Sequence, residues 1–166
     1  MSAAEDTTSF DAERPLGAYA LLAGAYVGLL GGVVAAARRR DLLLDRVDAG
    51  DLALLAIGAH RLSRMLSREK VSRPLRRPFT RVDPDAPSPP GELAEDVRPG
   101  QTPLRRAVAD LLTCTICMDQ WTATAFTAGY LAAPRATRTV ATVLAVRSGA
   151  DALQLGHARM VREARR

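Results

Sequence analysis

The first hydrophobic segment of the chain is a run from residue 15 to residue 37 that contains no charged side chain. An uncharged apolar run of this length is sufficient to cross the roughly 30 Å hydrocarbon core of a bilayer as one helix. Gly24, Gly28 and Gly32 recur at four-residue spacing and share one face of that helix. Small residues at this spacing allow a second helix to approach closely in lipid. The pattern predicts a transmembrane helix over residues 15–40 whose glycine face packs on another helix, in this chain or in a second copy.

A second segment has the periodicity of an amphipathic helix. Its apolar positions between residues 51 and 68 are three or four residues apart, namely Leu52, Leu55, Ala59, Leu62 and Leu66. Asp48 or Asp51 is suited to cap its first turn. Its second half is crowded with charge, namely His60, Arg61, Arg64 and Arg68. The segment is too short and too charged for an easy crossing, so we predict an interfacial amphipathic helix or one that packs on the spans.

Residues 69–103 hold eight of the ten prolines of the chain, a density that prevents a long helix. The first half of this segment is basic and the second half is acidic. We expect a partly mobile cytoplasmic loop whose two halves attract each other.

Helical patterns resume over residues 104–157 as two apolar segments separated by a turn at Pro134. The spacing predicts a helical hairpin whose arms are marginal as membrane spans. Arg147 and Asp151 stand four residues apart in the second arm, so they would face each other on one helix. An ionisable residue at membrane depth is costly and marks either a structural pair or a pathway. We favour an intramembrane ion pair over an ion or proton pathway.

Together these segments predict an all-α integral membrane protein with about three transmembrane helices, an interfacial amphipathic helix and a proline-rich loop. Residues 1–14 are expected to form a disordered acidic tail, and residues 41–166 a helical domain. The strong preference for arginine over lysine, with abundant alanine, is typical of a GC-rich bacterial genome. An acidic leader before the first span and arginines at 38–40 behind it predict a bacterial inner-membrane protein with the N-terminus outside and the C-terminus cytoplasmic. The same features disfavour a cleaved signal peptide.

The net charge of +5 and a pI near 10 suit either nucleic acid or an anionic membrane surface. Aromatic residues are too scarce for base stacking, so the lipid bilayer is the expected partner and nucleic acid is not. Arg76, Arg77 and Arg81 lie in a loop stiffened by prolines, where guanidinium groups could bind lipid phosphate or a soluble anion. The alternative is an ordinary basic cytoplasmic loop.

Cys114 and Cys117 form a C-x-x-C pair. Three interpretations stay open: two buried small side chains, half of a zinc site, or a redox pair. Zinc would need two further ligands, and the chain offers only His60 and His157, so no cofactor is expected although zinc is possible. The periodicity places the pair several residues inside a helix, which disfavours a reactive thiolate.

Three ordered motifs resemble the domain of unknown function 1360 family of small bacterial membrane proteins. They are H-x-L-S-R at residues 60–64, V-x-x-P-L-R-x-P-F-T-R at residues 71–81, and L-L-T-C-x-x-C-x-x-x-W at residues 111–121. The resemblance covers roughly residues 50–156 and implies a membrane location and no known activity. Thr115 and Ile116 depart from it, because the family usually has proline and an aromatic or similar residue between the cysteines.

No nucleophile elbow, phosphate-binding glycine loop or carboxylate–histidine cluster is found in the sequence. The sequence therefore favours a non-enzymatic membrane protein, a scaffold or a partner subunit, which binds itself or another membrane protein. The alternative is a membrane thiol or metal-binding protein centred on the cysteine pair. A third, weaker hypothesis is a soluble or peripheral helical protein that binds nucleic acid.

Overall fold

The computed structural model describes residues 15–165, which are mostly helical, so the predicted all-α class is confirmed. The predicted tail at residues 1–14 lies outside the described residues. The helices are α1 (Leu16–Arg39), α2 (Ala49–Arg68), α3 (Arg73–Arg76), α4 (Pro103–Thr113), α5 (Thr115–Ala132) and α6 (Pro134–Ala164). A 3₁₀ turn at Lys70–Ser72 and two short strands, β1 (Thr80–Val82) and β2 (Glu95–Val97), lie between α2 and α4.

Helix α2 is the centre of the bundle. It begins after Asp48, whose carboxylate accepts hydrogen bonds from the backbone N–H groups of Gly50, at 2.8 Å, and Asp51, at 3.4 Å. It then packs against both α5 and α6 along its length. The close approach to α6 needs Gly58, where an added Cβ would lie 3.2 Å from the Cα of Ala141. Of the two alternatives predicted for this segment, packing on the neighbouring helices is found, and a position at a membrane interface stays a prediction.

Side-chain contacts fix the direction of each helix. Asp51, at the start of α2, contacts Tyr130 near the end of α5 and Arg138 near the start of α6. Toward the end of α2, Ser67 contacts Thr115 at the start of α5. Helix α2 therefore runs antiparallel to α5 and parallel to α6.

Helix α1 packs on α4 and α5 through two tyrosines. The Tyr19 hydroxyl donates to the Asp110 carboxylate in α4. Tyr26 lies 3.0 Å from the Thr124 hydroxyl, and its ring meets Trp121 edge to face at a centroid distance of 5.4 Å. Because position 19 meets α4 and position 26 meets the middle of α5, α1 and α5 run in the same direction.

These directions divide the bundle into two ends. The loop end holds the start of α1, the segment 69–102, the start of α5 and the end of α6, while the connections 40–48 and 133 lie at the opposite, turn end. The sequence predicted α1 to start outside the membrane and the C-terminus to lie inside. The fold brings both ends of the described chain to the same end of the bundle, because α2 folds back along α5, and the side of a membrane that each end faces stays a prediction.

The segment 69–102 is more ordered than the sequence predicted. Strands β1 and β2 pair in antiparallel register, with Arg81 opposite Asp96. As expected, the basic and acidic halves attract each other: Arg76 contacts Glu95 across the segment. Strands of three residues are too short to give a recognisable alternation, and prolines lie between them, so the sequence did not reveal this small sheet.

The interior of the bundle is built from small and polar side chains. In the described residues the buried apolar side chains are six alanines with Met118 and Phe126. Buried serines and threonines lie between them, and the Thr122 hydroxyl of α5 donates to the Ala59 carbonyl oxygen of α2 at 3.1 Å. Large apolar side chains point outward instead, among them Leu21, Val27, Val143 and Val146.

Among residues 15–165, α1 alone is both long enough and apolar enough to cross a membrane by length and composition. At 24 residues it spans about 36 Å at 1.5 Å per residue. The expectation that the hairpin arms, now α5 and α6, also cross stays a prediction.

Candidate functional site

The cysteine pair occupies the start of a helix, not its interior. The chain breaks at Cys114, whose φ of −93° and ψ of 106° are extended and end α4 at Thr113. Helix α5 starts at the next residue, so Cys114 is its N-cap and Cys117 lies in its first turn. The sulfur of Cys114 accepts a hydrogen bond from the backbone N–H of Cys117 at 3.3 Å. The expectation that both cysteines lie within one continuous helix is therefore wrong, and with it the argument against a reactive thiolate.

Both cysteines are free thiols, Cys114 partly exposed and Cys117 exposed. Their thiols are in hydrogen-bonding contact with each other. The described residues contain no group of three or more His, Cys, Asp or Glu side chains that could hold a metal ion. His60, one of the two histidines considered as zinc ligands, faces Asp119 at 3.6 Å instead of the cysteines.

A polar seam between α2 and α5 leads to the cysteine pair, and the sequence analysis did not find it. Ser63 donates to Asp119, and Ser67 lies 3.1 Å from the Thr115 hydroxyl. The sequence does contain a signal for this seam: Ser63 and Ser67 are four residues apart and therefore lie on one face of α2. The Ser63 hydroxyl also donates to the His60 carbonyl oxygen at 2.9 Å, whereas the His60 ring faces the Asp119 carboxylate and not the hydroxyl.

Four charged side chains form a network where α2 meets α6. Arg147 and Asp151 are in contact on α6, as their spacing suggested. Asp151 also lies 3.3 Å from Arg61, which is buried and contacts Glu69 at the end of α2. Arg61 was predicted only as a helix-surface arginine, and its position between two carboxylates depends on the packing of α2 against α6.

The three candidate anion-binding arginines occupy different environments. Arg76 is fully buried, and its guanidinium donates to Glu95, to the Leu66 carbonyl oxygen at 2.6 Å and to the Ser72 hydroxyl at 2.7 Å. Its donors are used within the fold, so it does not face an outside phosphate. Arg77 and Arg81 are exposed, and anion binding by these two side chains stays a prediction.

A second charged cluster lies at the turn end and was also missed. Asp51 is buried and accepts two hydrogen bonds from the Arg138 guanidinium and one from the Tyr130 hydroxyl at 2.5 Å. From the sequence, Asp51 was expected only as a possible capping residue, and no role was predicted for Arg138. This cluster ties the starts of α2 and α6 to the end of α5.

The glycine face of α1 is open. A Cβ added to Gly24, Gly28 or Gly32 would meet nothing within 4 Å in the described residues. These glycines lie on the side of α1 opposite Tyr26, because two positions along a helix are about 200° apart. The predicted packing of this face on another helix of the described chain is therefore not found, and packing on a second copy stays a prediction.

The comparison with protein families gives one match. The model of a family described as a protein of unknown function (DUF1360) matches residues 54–157. This range includes α2 from its second turn, the segment 69–102, the cysteine pair and most of α6, and it confirms the resemblance seen in the three motifs. No curated protein and no solved structure matches the chain.

Proposed function

Since this chain belongs to the DUF1360 family of proteins of unknown function, its role has to be inferred from its own structure, and we propose a non-enzymatic bacterial inner-membrane protein that serves as a scaffold or partner subunit. The observation that carries this proposal is the distribution of side chains. The fully buried positions of the bundle are mostly alanine, serine and threonine, whereas many leucines and valines are exposed and only a few leucines pack partly buried against the core. In water the large aliphatic residues are the ones that are buried, whereas helices in lipid pack through small residues.

The contacts of α1 extend the proposal to the whole bundle. If α1 crosses the bilayer, Tyr26 lies near the middle of the membrane, and so do its partners Trp121 and Thr124 in α5. Helices α2 and α6 pack on α5 and follow it to the same depth. Asp51 and Arg61, two buried charged residues of the bundle, are each paired with an opposite charge, which lowers the cost of an ionisable group at membrane depth.

The orientation we propose differs from the one that the sequence suggested. More basic residues lie at the loop end than at the turn end: residues 69–106 hold eight and the C-terminal part of α6 holds two, whereas the turn end holds Arg38, Arg39, Arg40, Arg46, Arg135 and Arg138. Basic residues flanking membrane spans stay in the cytoplasm. The loop end therefore faces the cytoplasm, and the start of α1 faces it too.

Retention in the membrane tests the proposal. We expect the protein to stay in the membrane pellet after an alkaline carbonate wash. Replacing both Val27 and Leu30 by arginine places two charges in the middle of α1 at a cost of about 5–7 kcal/mol, so a large fraction of this variant should become soluble or be degraded. Val27 and Leu30 are exposed, so the change does not disturb packing within the chain.

The matched control replaces Leu43 and Leu44, two exposed leucines in the connection after α1, by arginine. This variant should stay in the pellet like the unchanged protein. Recovery of most of the unchanged protein in the soluble fraction would refute the membrane proposal. Equal retention of the α1 variant and the control would show that α1 is not the anchor.

A further inference from the structure

We propose that Cys114 and Cys117 are a redox-active dithiol that exchanges with disulfides. This activity goes beyond the scaffold role and does not depend on it. The inference rests on the local fold at the start of α5, and the same geometry holds for the protein in a membrane or in detergent.

The first step of the argument is the helix break. Because α4 ends at Thr113, the first turn of α5 has backbone N–H groups with no partner inside the helix. Cys114 stands at the N-cap, where its sulfur accepts one of these hydrogen bonds. The sulfur accepts this hydrogen bond at the positive end of the helix dipole, so its surroundings favour negative charge that develops there during a reaction. The thiolate is the form that attacks a disulfide.

The second step is the contact between the two thiols. Cys117 is three residues beyond the cap, so the two sulfurs lie on the same side of the first turn and are in hydrogen-bonding contact. No rearrangement of the bundle is needed to bring them together. A disulfide that closes a C-x-x-C turn joins sulfurs that are already neighbours, which satisfies the distance requirement for the bond.

The third step is access. Cys114 is partly exposed, Cys117 is exposed, and the side chain of Ile116 between them is 82% exposed. A reacting molecule can therefore reach the pair and contact an apolar residue beside it. The Ser67–Thr115 contact ties the start of α5 to α2. A reacting molecule can therefore approach the cysteine pair, while the contact with α2 fixes the backbone that carries it.

The reaction balances with a partner disulfide as the oxidant. The Cys114 thiolate attacks one sulfur of the partner disulfide, which forms a mixed disulfide and releases the first partner thiolate. Cys117 then loses its proton and attacks Cys114, which closes the Cys114–Cys117 bond and releases the second partner thiolate. The dithiol loses two electrons and two protons, and the partner disulfide is reduced to two thiols. The reverse sequence regenerates the dithiol from a partner dithiol or from two thiols.

The test uses the full-length protein purified in detergent and equilibrated in buffers of reduced and oxidised glutathione. After acid quenching, free thiols are labelled with a maleimide mass tag. We expect the unchanged protein to convert between two labelled thiols and none over a defined range of glutathione ratios. Mass spectrometry should then find the oxidised form as an internal Cys114–Cys117 disulfide, because the second thiol resolves the mixed disulfide.

Single variants identify the role of each cysteine. Cys117→Ala should accumulate a mixed disulfide between Cys114 and glutathione, and Cys114→Ala should react at Cys117 on the order of ten times more slowly. Cys114→Ser, which preserves the N-cap, controls for folding and should keep the helix content and melting temperature of the unchanged protein. Ser67→Ala tests the anchoring contact without removing a thiol.

Three results would overturn the proposal. One is the absence of an internal disulfide at any glutathione ratio in folded protein. Another is equal reactivity of Cys114 and Cys117 in the single variants, which would remove the role of the helix start. The third is stoichiometric zinc bound to the purified protein that protects both thiols from oxidation. None of these results depends on whether the protein is retained in the membrane. The redox proposal and the membrane proposal can therefore be refuted independently of each other.

Discussion

Single charged residues hold the interior of this protein together across large distances in the chain. Arg76 shows this most clearly, because its buried guanidinium joins the end of α2 to strand β2. The guanidinium group of arginine suits this role because it is planar and carries several N–H donors. Lysine would offer a single charged amine without this forked arrangement of donors.

We predict that Arg76→Ala releases the segment 69–102 from the bundle. The change leaves the Glu95 carboxylate, which is only 3% exposed, without its main partner. Breaking a buried pair in this way costs about 3–5 kcal/mol. Limited proteolysis should cleave the segment much faster in the variant. Arg77→Ala, at the neighbouring exposed position, is the matched control and should be cleaved like the unchanged protein.

We predict that Arg61 matters more than Arg147 for the network around Asp151. The Arg61 side chain is 7% exposed and contacts two carboxylates, while the Arg147 side chain is half exposed and contacts one. Arg61→Ala should lower the melting temperature in detergent strongly, because it leaves Glu69 without its partner and Asp151 with Arg147 alone, whereas Arg147→Ala should cost about 1 kcal/mol or less.

Adding Asp151→Asn to the Arg61→Ala variant completes a double-mutant cycle, which measures the interaction free energy between these two residues. The double variant should cost less stability than the sum of the two single changes, because both changes remove the same contact between Arg61 and Asp151. Strictly additive effects would mean that the two side chains do not interact in the folded protein.

At the scale of elements, α1 has two opposite faces with different functions. Tyr19 and Tyr26 attach one face to α4 and α5, and the glycine face points away from the bundle. In lipid an open face of small residues is suited to a second helix of the same kind.

We predict that this face pairs two copies of the chain. Gly28→Leu should lower the fraction of dimer that a membrane-permeable cross-linker captures, because the side chain fills the space into which the other helix would pack. Within the described chain this leucine meets open space, so folding should not change. Val27→Leu enlarges a side chain about 100° away and should leave the dimer fraction unaltered. A monomeric unchanged protein would contradict the prediction.

At the scale of the whole molecule, the directions of the helices determine which topology the proposed membrane protein would have. With α1 parallel to α5 and antiparallel to α2, the loop end and the start of α1 lie on one side and the 40–48 connection on the other. No single element carries this information, because it arises from the way four helices pack.

We predict that residue 43 is outside the cell and residues 16 and 88 are inside. Single cysteines at these three exposed positions, in a background where Cys114 and Cys117 are serine, can be probed with a membrane-impermeant maleimide. Leu43→Cys should react in intact cells, and Leu16→Cys and Ser88→Cys should react only after lysis. The opposite pattern would restore the orientation that Arg38, Arg39 and Arg40 suggested, and labelling of positions 16 and 88 from different sides would contradict the fold.

The sequence by itself determined the features that depend on neighbouring residues. An uncharged run is a local property, so it predicted α1, and the residue types around position 48 predicted the Asp48 cap. A spacing of four residues on one helix predicted the contact of Arg147 with Asp151. The three motifs were sufficient to indicate the family, because their order and spacing are visible along the chain.

Only the tertiary structure decided which distant residues meet. Asp51 binds Arg138, 87 residues away, and no periodicity in either helix reveals that contact. The position of α2 between α5 and α6 turned Arg61 and Arg76 from expected surface charges into buried ones. The break at Cys114 was missed for a related reason: the residues on both sides suit a helix, and the chain turns there because α4 packs on α1 while α5 packs on α2. Packing between elements decides such points, because a local pattern constrains only residues within about one turn of each other.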